Sequence, residues 1–163
     1  MAFITTPIAA PALNQTSSTA ALAVGTRVNT SDGGEAVYIQ ALSEISTYAC
    51  AVIAENFQAV MSTTALVTEA TGTNLQLGWA QTSIASAWYG WLQTAGRPLA
   101  NLATNCADRV ALFTTATSGV LDDAVVSVGY VPGVWAATTI SNATAVTLLV
   151  PNGAFVTNFA VQA

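Results

Sequence analysis

The residues able to do acid–base, nucleophilic or metal chemistry are few in this 163-residue chain, and their pattern argues against an enzyme. The sequence contains no histidine and no lysine, which removes the commonest general base and the lysine of a phosphate-binding loop. Two carboxylates can hydrolyse a glycosidic bond, but most acids here fall in predicted turns, where such side chains cap or solvate the backbone. The eight acids are Asp32, Glu35, Glu44, Glu55, Glu69, Asp108, Asp122 and Asp123. We therefore predict no catalytic residue and no cofactor.

The adjacent acids Asp122 and Asp123 are the strongest candidates for a metal site. Two carboxylates could supply oxygen ligands to Ca²⁺, which takes about six to eight. Neighbouring side chains on a strand point to opposite faces, so both would reach one ion only in a turn. The spacing of a calcium-binding loop is absent from the sequence around them. We interpret the pair as turn residues and predict no metal.

Two cysteines, Cys50 and Cys106, lie far apart in apolar segments that resemble strands. They are too few for a disulfide framework, and neither belongs to a metal-ligand motif. We expect buried free thiols, with a single disulfide bridge as the alternative.

Charge is scarce in the chain and unevenly placed. Only 7% of residues are charged, against about 25% in a typical soluble domain, and the net charge is −5. Without clustered Lys or Arg we expect the chain to bind neither nucleic acid nor an anionic membrane surface. Polar residues interrupt every apolar run before the roughly 18 residues that a membrane-spanning helix needs. No charged residue precedes Arg27 or follows Asp123. Because interfaces are depleted of charge at their centres, we predict that other subunits cover these ends; a surface of Thr, Ser, Asn and Gln is the alternative.

Of the three arginines, two are candidates for contacts with a partner. Arg97 lies between Gly96 and Pro98, after an aromatic segment, and Arg109 follows Asp108 at the start of a predicted strand. An ion pair between subunits at such a position would help to select the partner and the register. Ordinary surface ion pairs are the alternative.

The elements that must position these residues are organised around residues 75–98, which contain three of the four tryptophans. This segment is predicted to form two β-strands connected through residues 84–86. Such a register would place Trp79 opposite Trp91, with glycine and alanine on the other face. We predict that Trp79, Tyr89 and Trp91 form an aromatic core hairpin, which a second layer of structure covers.

The rest of the chain predicts an all-β fold. Short alternating segments at intervals of about 8–12 residues, separated by turn residues, are typical of a single-domain antiparallel β-sandwich or barrel. Residues 35–41 form a clear alternating strand, residues 62–69 are ambiguous, and Asn152-Gly153 predicts a closing β-hairpin. No internal repeat of fixed period is evident.

Residues 1–24 are predicted to form an extended N-terminal arm, and residues 25–163 the β-rich domain. The arm is too apolar for a solvated tail and too irregular for a helix, and its prolines favour extended conformations in the residues before them. Phe3, Ile4 and Ile8 are its candidate partner contacts. The arm could lie along a neighbour or add a strand to its sheet; a disordered terminus is the alternative.

Three runs of the sequence resemble the capsid decoration, or cement, proteins of tailed bacteriophages. They are Leu77-Gly-Trp-Ala-Gln81, Tyr89-Gly-Trp-Leu-Gln93 and Ala111-Leu-Phe-Thr-Thr-Ala-Thr-Ser-Gly-Val-Leu-Asp-Asp123. The resemblance spans about residues 35–137 and implies a small β-rich protein on the outside of an icosahedral head, often trimeric at three-fold positions. It implies neither a cofactor nor a catalytic motif, and it does not cover the arm or the uncharged C-terminal third.

Resemblance and composition together lead to the hypothesis of a structural virion protein, made in the cytoplasm of a bacterial host. It would bind the major capsid protein on the outer surface of the assembled capsid, self-associate as a homotrimer, bridge neighbouring capsomers and stabilise the head. The alternative is a virion-surface or fibre module that binds host carbohydrate through at least one exposed ring of Trp79, Tyr89 or Trp91. A tail-tube or coat subunit is a third hypothesis, which predicts self-assembly of the chain alone.

Overall fold

The computed structural model describes residues 12–69, 75–125, 129–140, 145–151 and 153–156, which contain thirteen β-strands and one short helix. The strands are β1 (Arg27–Asn29), β2 (Glu35–Ala41), β3 (Cys50–Ile53), β4 (Gln58–Met61), β5 (Leu75–Ala80), β6 (Tyr89–Ala95), β7 (Leu99–Asn101), β8 (Leu112–Thr114), β9 (Leu121–Asp122), β10 (Tyr130–Val131), β11 (Trp135–Ala136), β12 (Ala145–Leu149) and β13 (Ala154–Val156). Helix α1 (Thr64–Glu69) occupies the segment that was ambiguous from sequence. The predicted all-β class is confirmed.

Five strands close into a barrel in the order β2-β4-β3-β5-β6, with β6 returning to β2. Neighbouring strands are antiparallel except β2 and β4, which run parallel. The alternation predicted for β2 decides which side chains enter the barrel, because successive side chains point to opposite faces. Val37 and Ile39 belong to the interior cluster, whereas Tyr38 belongs to a separate cluster on the outer face.

The interior of the barrel is narrow and is filled by small and aliphatic side chains. Its buried members are Val37, Ile39, Ala41, Ile45, Ala49, Ala51, Ile53, Ala59, Ala80, Ile84 and Leu92. A Cβ atom on Gly78 would lie 2.8 Å from the Cβ of Leu92, so strands β5 and β6 approach closely only because Gly78 has no side chain. The glycine and alanine face predicted for the aromatic segment is therefore the interior face of this barrel.

Two outer layers cover the barrel. The sheets β10-β8-β9 and β11-β12-β7 contribute Leu112, Leu121 and Leu148 to one large apolar cluster that also contains Leu77 and Trp79 of the barrel. On another side, the described part of the predicted arm, residues 12–24, lies against the barrel of its own chain. There Ser17 pairs with Tyr89, and Leu13 packs on the cluster formed by Ala36, Tyr38 and Trp91.

The barrel contains an internal two-fold repeat that the sequence analysis missed. Each residue of the first half corresponds to the residue 39 positions later in the second half. Ile45 and Ile84 are such a pair, and they donate backbone hydrogen bonds to each other, at 2.8 and 2.9 Å. The pairing of β2 with β6 has the same register as that of β5 with β3. The two corners match as well, because Tyr48 and its equivalent Ala87 both have a positive φ, of 62° and 64°. Few side chains are identical between the halves, so the repeat lies in the backbone and is hard to recognise from residue types.

Two predicted hairpins are wrong in register or partner. Strands β5 and β6 do pair, but the connection runs from residue 81 to residue 88, and Trp79 lies opposite Gln93 rather than Trp91. The predicted turn at residues 84–86 fails because Ile84 enters the barrel interior and bridges to the other half of the repeat. Strands β12 and β13 do not form a hairpin: β12 pairs with β11 and β7, whereas β13 pairs with β5.

Candidate functional site

The three aromatic residues singled out from sequence lie in two different places. Trp79 is fully buried beneath the C-terminal sheets, and its indole Nε1 has no hydrogen-bond partner among the described residues. Trp91 is 3% exposed and packs on Tyr38 with ring centroids 5.1 Å apart, and Tyr38 stacks on Tyr89 at 6.2 Å. Tyr89 itself is half-buried. Trp79 and Trp91 therefore serve two separate apolar clusters on the outer face of the barrel.

Trp88 is an exposed aromatic residue that the sequence analysis did not select. Its side chain is 39% exposed, and Leu42 beside it is 53% exposed. The backbone joins them, because the Ala41 N–H donates to the Trp88 carbonyl at 2.8 Å and the Ser86 hydroxyl donates to the Leu42 carbonyl at 3.1 Å. Alternation along the chain puts Trp88 in phase with the inward-facing Gly90 and Leu92, so no signal in the sequence marked it as exposed.

Arg97 lies on the surface at the end of the turn that follows β6. Its backbone N–H donates to Asp32 Oδ2 at 2.6 Å, and Gln93 Nε2 donates to the same oxygen at 2.9 Å. Asp32 also accepts from the Thr30 hydroxyl and the Gly34 N–H, so it ties the β1–β2 turn to the end of β6. Partial burial raises the pKa of Asp32, but these hydrogen bonds outweigh it, and the net pKa is lowered. Asp32 thus fixes the backbone of Arg97 and leaves its guanidinium exposed.

Arg109 is exposed, and its backbone has a positive φ of 57°. Its Nε lies 3.7 Å from a carboxylate oxygen of the neighbouring Asp108, whose other oxygen accepts from Thr139 at 2.8 Å. Arg27 differs, since its guanidinium pairs with Glu35 and donates to Gln76. Of the three arginines, Arg97 and Arg109 are therefore the two whose charge is available at the surface.

The carboxylates of Asp122 and Asp123 lie beside the thiol of Cys106, with one ligand atom from each residue within 4.8 Å of the others. Asp123 accepts from the Ala107 N–H at 2.9 Å, and Asp122 accepts from the Asp123 N–H, also at 2.9 Å. Burial, together with the neighbouring Asp123, raises the pKa of Asp122. Two carboxylates and a thiol provide too few oxygens for Ca²⁺, so this cluster does not fit that ion. Both carboxylates accept backbone N–H groups, but the prediction of two turn residues is wrong for Asp122, which is the last residue of β9, whereas Asp123 follows the strand at a bend.

Both cysteines are free and buried, as the sequence analysis expected. Burial raises the pKa of the Cys50 thiol to about 12. Burial, with repulsion from Asp123 and Asp122, raises the pKa of Cys106 to about 11. A thiol at such a pKa is protonated at neutral pH, and the thiolate is the nucleophilic form. Neither cysteine is therefore suited to nucleophilic catalysis.

Open clefts flank the N-terminal segment and the β3–β4 turn. One of about 510 Å³ lies between residues 12–14 and 28–32, and another of about 810 Å³ is lined by Arg27 and residues 53–57. Asp32 is the carboxylate in the first, and Glu55 in the second. A third cleft, of about 520 Å³, lies between residues 14–22 and the rings of Tyr38 and Trp91. None of these described clefts brings together the two carboxylates that glycoside hydrolysis requires.

No protein-family model matches this chain, and no curated protein matches its sequence. Within the described part of the chain, no helix has the length and apolar character needed to cross a membrane. The candidate arm contacts Phe3, Ile4 and Ile8 lie outside the described residues. Among the residues that the structure describes, Arg97, Arg109 and several large apolar side chains are exposed at the surface.

Proposed function

We propose that this chain is a structural virion protein that binds the outer surface of an assembled phage capsid and stabilises the head. It bridges neighbouring capsomers by contacts with the major capsid protein and acts as a homo-oligomer, a trimer at three-fold positions. The observation that carries the proposal is the resemblance of residues 77–81, 89–93 and 111–123 to capsid decoration proteins. These runs form parts of β5 and β6 and the β8–β9 hairpin, which belong to the barrel and the sheet covering it.

The surface of the described residues supports a role in binding protein rather than in catalysis. Several large apolar side chains are exposed on a chain in which only 7% of residues are charged. They are Leu22, Val24, Leu42, Trp88, Val110, Val125 and Phe155. Protein interfaces exclude charge from their centres and favour aromatic residues there. A surface of this kind suits repeated contacts with a protein lattice.

Stabilisation follows from binding only the assembled state. A ligand that binds the lattice but not the separated capsomers stabilises the lattice by mass action. When one oligomer contacts several capsomers at once, its second and third contacts form at high effective concentration, which raises the total affinity. The packaged genome presses outward on the shell, so a bridge across capsomers must be broken before the shell opens. The protein is thus proposed to act by holding neighbours together, without a chemical step.

The two exposed arginines are the proposed charged contacts with the capsid. Arg97 has its backbone fixed by Asp32, and Arg109 has only a long contact with Asp108. Each guanidinium can pair with a carboxylate of a partner, and such pairs contribute mainly to partner selection and association rate. Arg27 is the matched control, because its guanidinium is already paired with Glu35 in the same subunit.

The test mixes the purified chain with undecorated heads of the phage that encodes it, followed by co-sedimentation. Saturable binding of the parent chain is expected. Arg97→Gln and Arg109→Gln should bind more weakly, and their difference from the parent should be larger at low salt. Arg27→Gln should bind as the parent does. Decorated heads should retain their DNA at higher temperature, or under stronger chelator stress, than bare heads. Absence of co-sedimentation, or equal heat resistance with and without the protein, would refute the stabilising role.

The alternative, binding of host carbohydrate through an aromatic platform, has less support from the surface. Trp79 and Trp91 are buried, which removes two of the three candidate rings from contact with a sugar. The exposed Trp88 lies beside the apolar Leu42, and the polar side chains at this corner, Ser86 and Gln40, donate to backbone carbonyls. A glycan array with the purified chain distinguishes the two proposals, because the capsid-binding protein is expected to bind no glycan.

A further inference from the structure

The exposed residues Leu42 and Trp88 form one corner of the barrel, called here the Leu42–Trp88 corner. It lies where β2 ends and where the connection from β5 enters β6. The internal two-fold relates this corner to a second one, formed by Gln81 and Ala49, which occupy the equivalent positions. The same backbone bonds hold both corners: Ala41 N–H to the Trp88 carbonyl at 2.8 Å in one, and Ala80 N–H to the Ala49 carbonyl at 3.2 Å in the other.

The second corner is covered by strand β7 of the same chain. Asn101 donates its backbone N–H to the Tyr48 carbonyl and its side-chain amide to the Thr47 carbonyl, both at 2.9 Å. Gln81 exchanges two hydrogen bonds with the backbone of Leu99, at 3.2 and 3.3 Å. Gly119 closes the cover over Ala49, since a Cβ there would lie 2.6 Å from the Ala49 Cβ. The repeat therefore shows what such a corner binds: an extended segment that donates hydrogen bonds to two successive carbonyls.

At the Leu42–Trp88 corner the equivalent carbonyls belong to Ser86 and Ala87. Within the described part of the chain, the Ala87 carbonyl accepts one long hydrogen bond, 3.4 Å from Gln40 Nε2, and no extended segment lies over the corner. Leu42 stands where the covered corner has Gln81, and Trp88 stands where it has Ala49. These replacements exchange amide hydrogen bonds for apolar contacts, so an occupant here must have apolar side chains.

Residues 1–11 of the chain have the matching chemistry. Their sequence, Met-Ala-Phe-Ile-Thr-Thr-Pro-Ile-Ala-Ala-Pro, carries no charged side chain, and its prolines favour extended backbone in the residues before them. This segment joins the described structure at Ala12, which lines a cleft with Gln81, on the side of the covered corner. Residues 12–17 then run along β6 to Ser17, which pairs with Tyr89 next to Trp88. Traced toward its N-terminus, the described chain therefore leads away from its own Leu42–Trp88 corner and ends beside the covered one.

We propose that the Leu42–Trp88 corner binds residues 1–11 of a second copy of this chain. The segment lies across the corner as an extended strand, donates a backbone N–H to the carbonyl of Ala87, as Asn101 does to that of Tyr48 in the covered corner, and packs its apolar side chains on Leu42 and Trp88. Repeated from one copy to the next, this contact joins subunits into a closed ring or an open chain, depending on the rotation. The inference concerns how copies join and does not depend on whether the further partner is a capsid.

The first experiment compares the full chain with a variant that lacks residues 2–11, by sedimentation velocity and by acrylamide quenching of tryptophan fluorescence. Trp88→Phe in each background identifies the signal of Trp88 by difference from the other tryptophans, of which Trp79 and Trp91 are buried and Trp135 is half-buried. The full chain is expected to be oligomeric with Trp88 shielded from acrylamide, and the truncated chain to be monomeric with Trp88 accessible. A synthetic peptide of residues 1–11 is expected to bind the truncated chain saturably and to shield Trp88 again.

Point variants keep the test independent of truncation. Trp88→Ser in the full chain is expected to weaken self-association about thirtyfold, the effect of losing one aromatic anchor worth about 2 kcal/mol. The control is Arg27→Gln, at an exposed side chain that pairs with Glu35 of the same subunit, and it should leave the dissociation constant unchanged. Melting curves of both variants check that they remain folded. The proposal is overturned if the full chain is monomeric with Trp88 shielded, if Trp88 is equally accessible with and without residues 2–11, or if the truncated chain keeps the oligomeric state.

Discussion

Truncating Ile84 to alanine probes the centre of the barrel, where the two halves of the internal repeat meet. Ile84 is fully buried in the interior cluster and exchanges two backbone hydrogen bonds with Ile45. The change removes three carbons, whose transfer from water contributes about 0.8 kcal/mol each, or about 2.4 kcal/mol in total. An unrelaxed cavity of roughly 40 Å³ adds about 1 kcal/mol. The free energy of unfolding should therefore fall by about 3.5 kcal/mol, which lowers the Tm by about 7–14 °C.

The internal two-fold sharpens this expectation, because Ile45→Ala removes the same group from the equivalent position. Its cost should match that of Ile84→Ala to within about 1 kcal/mol, and the double variant should deviate from additivity by about 0.5 kcal/mol or more, as neighbours in one cluster do. Urea unfolding followed by tryptophan fluorescence at one fixed protein concentration measures all three, since self-association shifts apparent stability. Val125→Ala, at a side chain 74% exposed, is the matched control and should stay within about 0.5 kcal/mol of the parent. If either isoleucine-to-alanine change lowers the free energy of unfolding by less than about 1 kcal/mol, the placement of Ile45 and Ile84 in the barrel interior is refuted.

Three further predictions follow from the charged and thiol groups. Asp32→Asn should lower the Tm at pH 7, and the difference from the parent should shrink as the pH falls below about 4. The reason is that a carboxyl group with a lowered pKa contributes stability that is lost when it is protonated in the folded state. A difference in Tm that persists unchanged to pH 2 contradicts this. Asp122→Asn should raise the Tm at neutral pH and have no such effect at pH 3, because a raised pKa means that the ionised carboxyl is unfavourable in the fold and its penalty is absent when protonated; a lower Tm at pH 7 contradicts it. Cys50 and Cys106 should react with a thiol reagent at pH 8 only after unfolding in urea, and fast labelling of the native chain would show that a thiol is accessible.

The strands whose pattern was local were predictable from sequence. Residues 35–41 alternate because β2 has one face in the barrel and the other against the N-terminal segment, and a period of two is visible without knowing the partner. The strands β3 and β4, on either side of Glu55–Asn56, pair as antiparallel neighbours, as short alternating segments separated by turn residues predict. Buried free cysteines also followed from their apolar surroundings.

Pairing over longer distances was not predictable in the same way. The expected face-to-face pairing of Trp79 and Trp91 assumed a short hairpin loop, whereas residues 81–88 form a corner that returns Ile84 to the core. Gly153 with its positive φ does make a turn, but the strand after it pairs with β5 because β5 still offers a free edge. In the first case the predicted turn itself was wrong, and in both cases distant segments decided the pairing.

The candidate contact residues also divide into those that the sequence identified and those that only the fold identified. Arg97 and Arg109 could be selected from sequence because cations are so rare in this chain, and both side chains are exposed. Trp88 could not be distinguished from Trp79 and Trp91 by residue type, since only the course of the backbone decides which ring faces the solvent. The equivalence of its corner with the covered one also required the fold, because the halves of the repeat share a backbone path and few side chains.

What the sequence by itself determined about this protein is its chemistry and its class. Its alternating apolar residues require β-strands, and the lack of histidine and lysine underlies the prediction, still a prediction, of a protein without catalysis or nucleic-acid binding. Only the tertiary structure decided that five of these strands close into a barrel with an internal two-fold, that one corner is covered by β7, and that the equivalent corner exposes Leu42 and Trp88. The physical reason is that side-chain periodicity is a local property, whereas strand pairing and burial depend on which distant segments reach a given edge first and fill it.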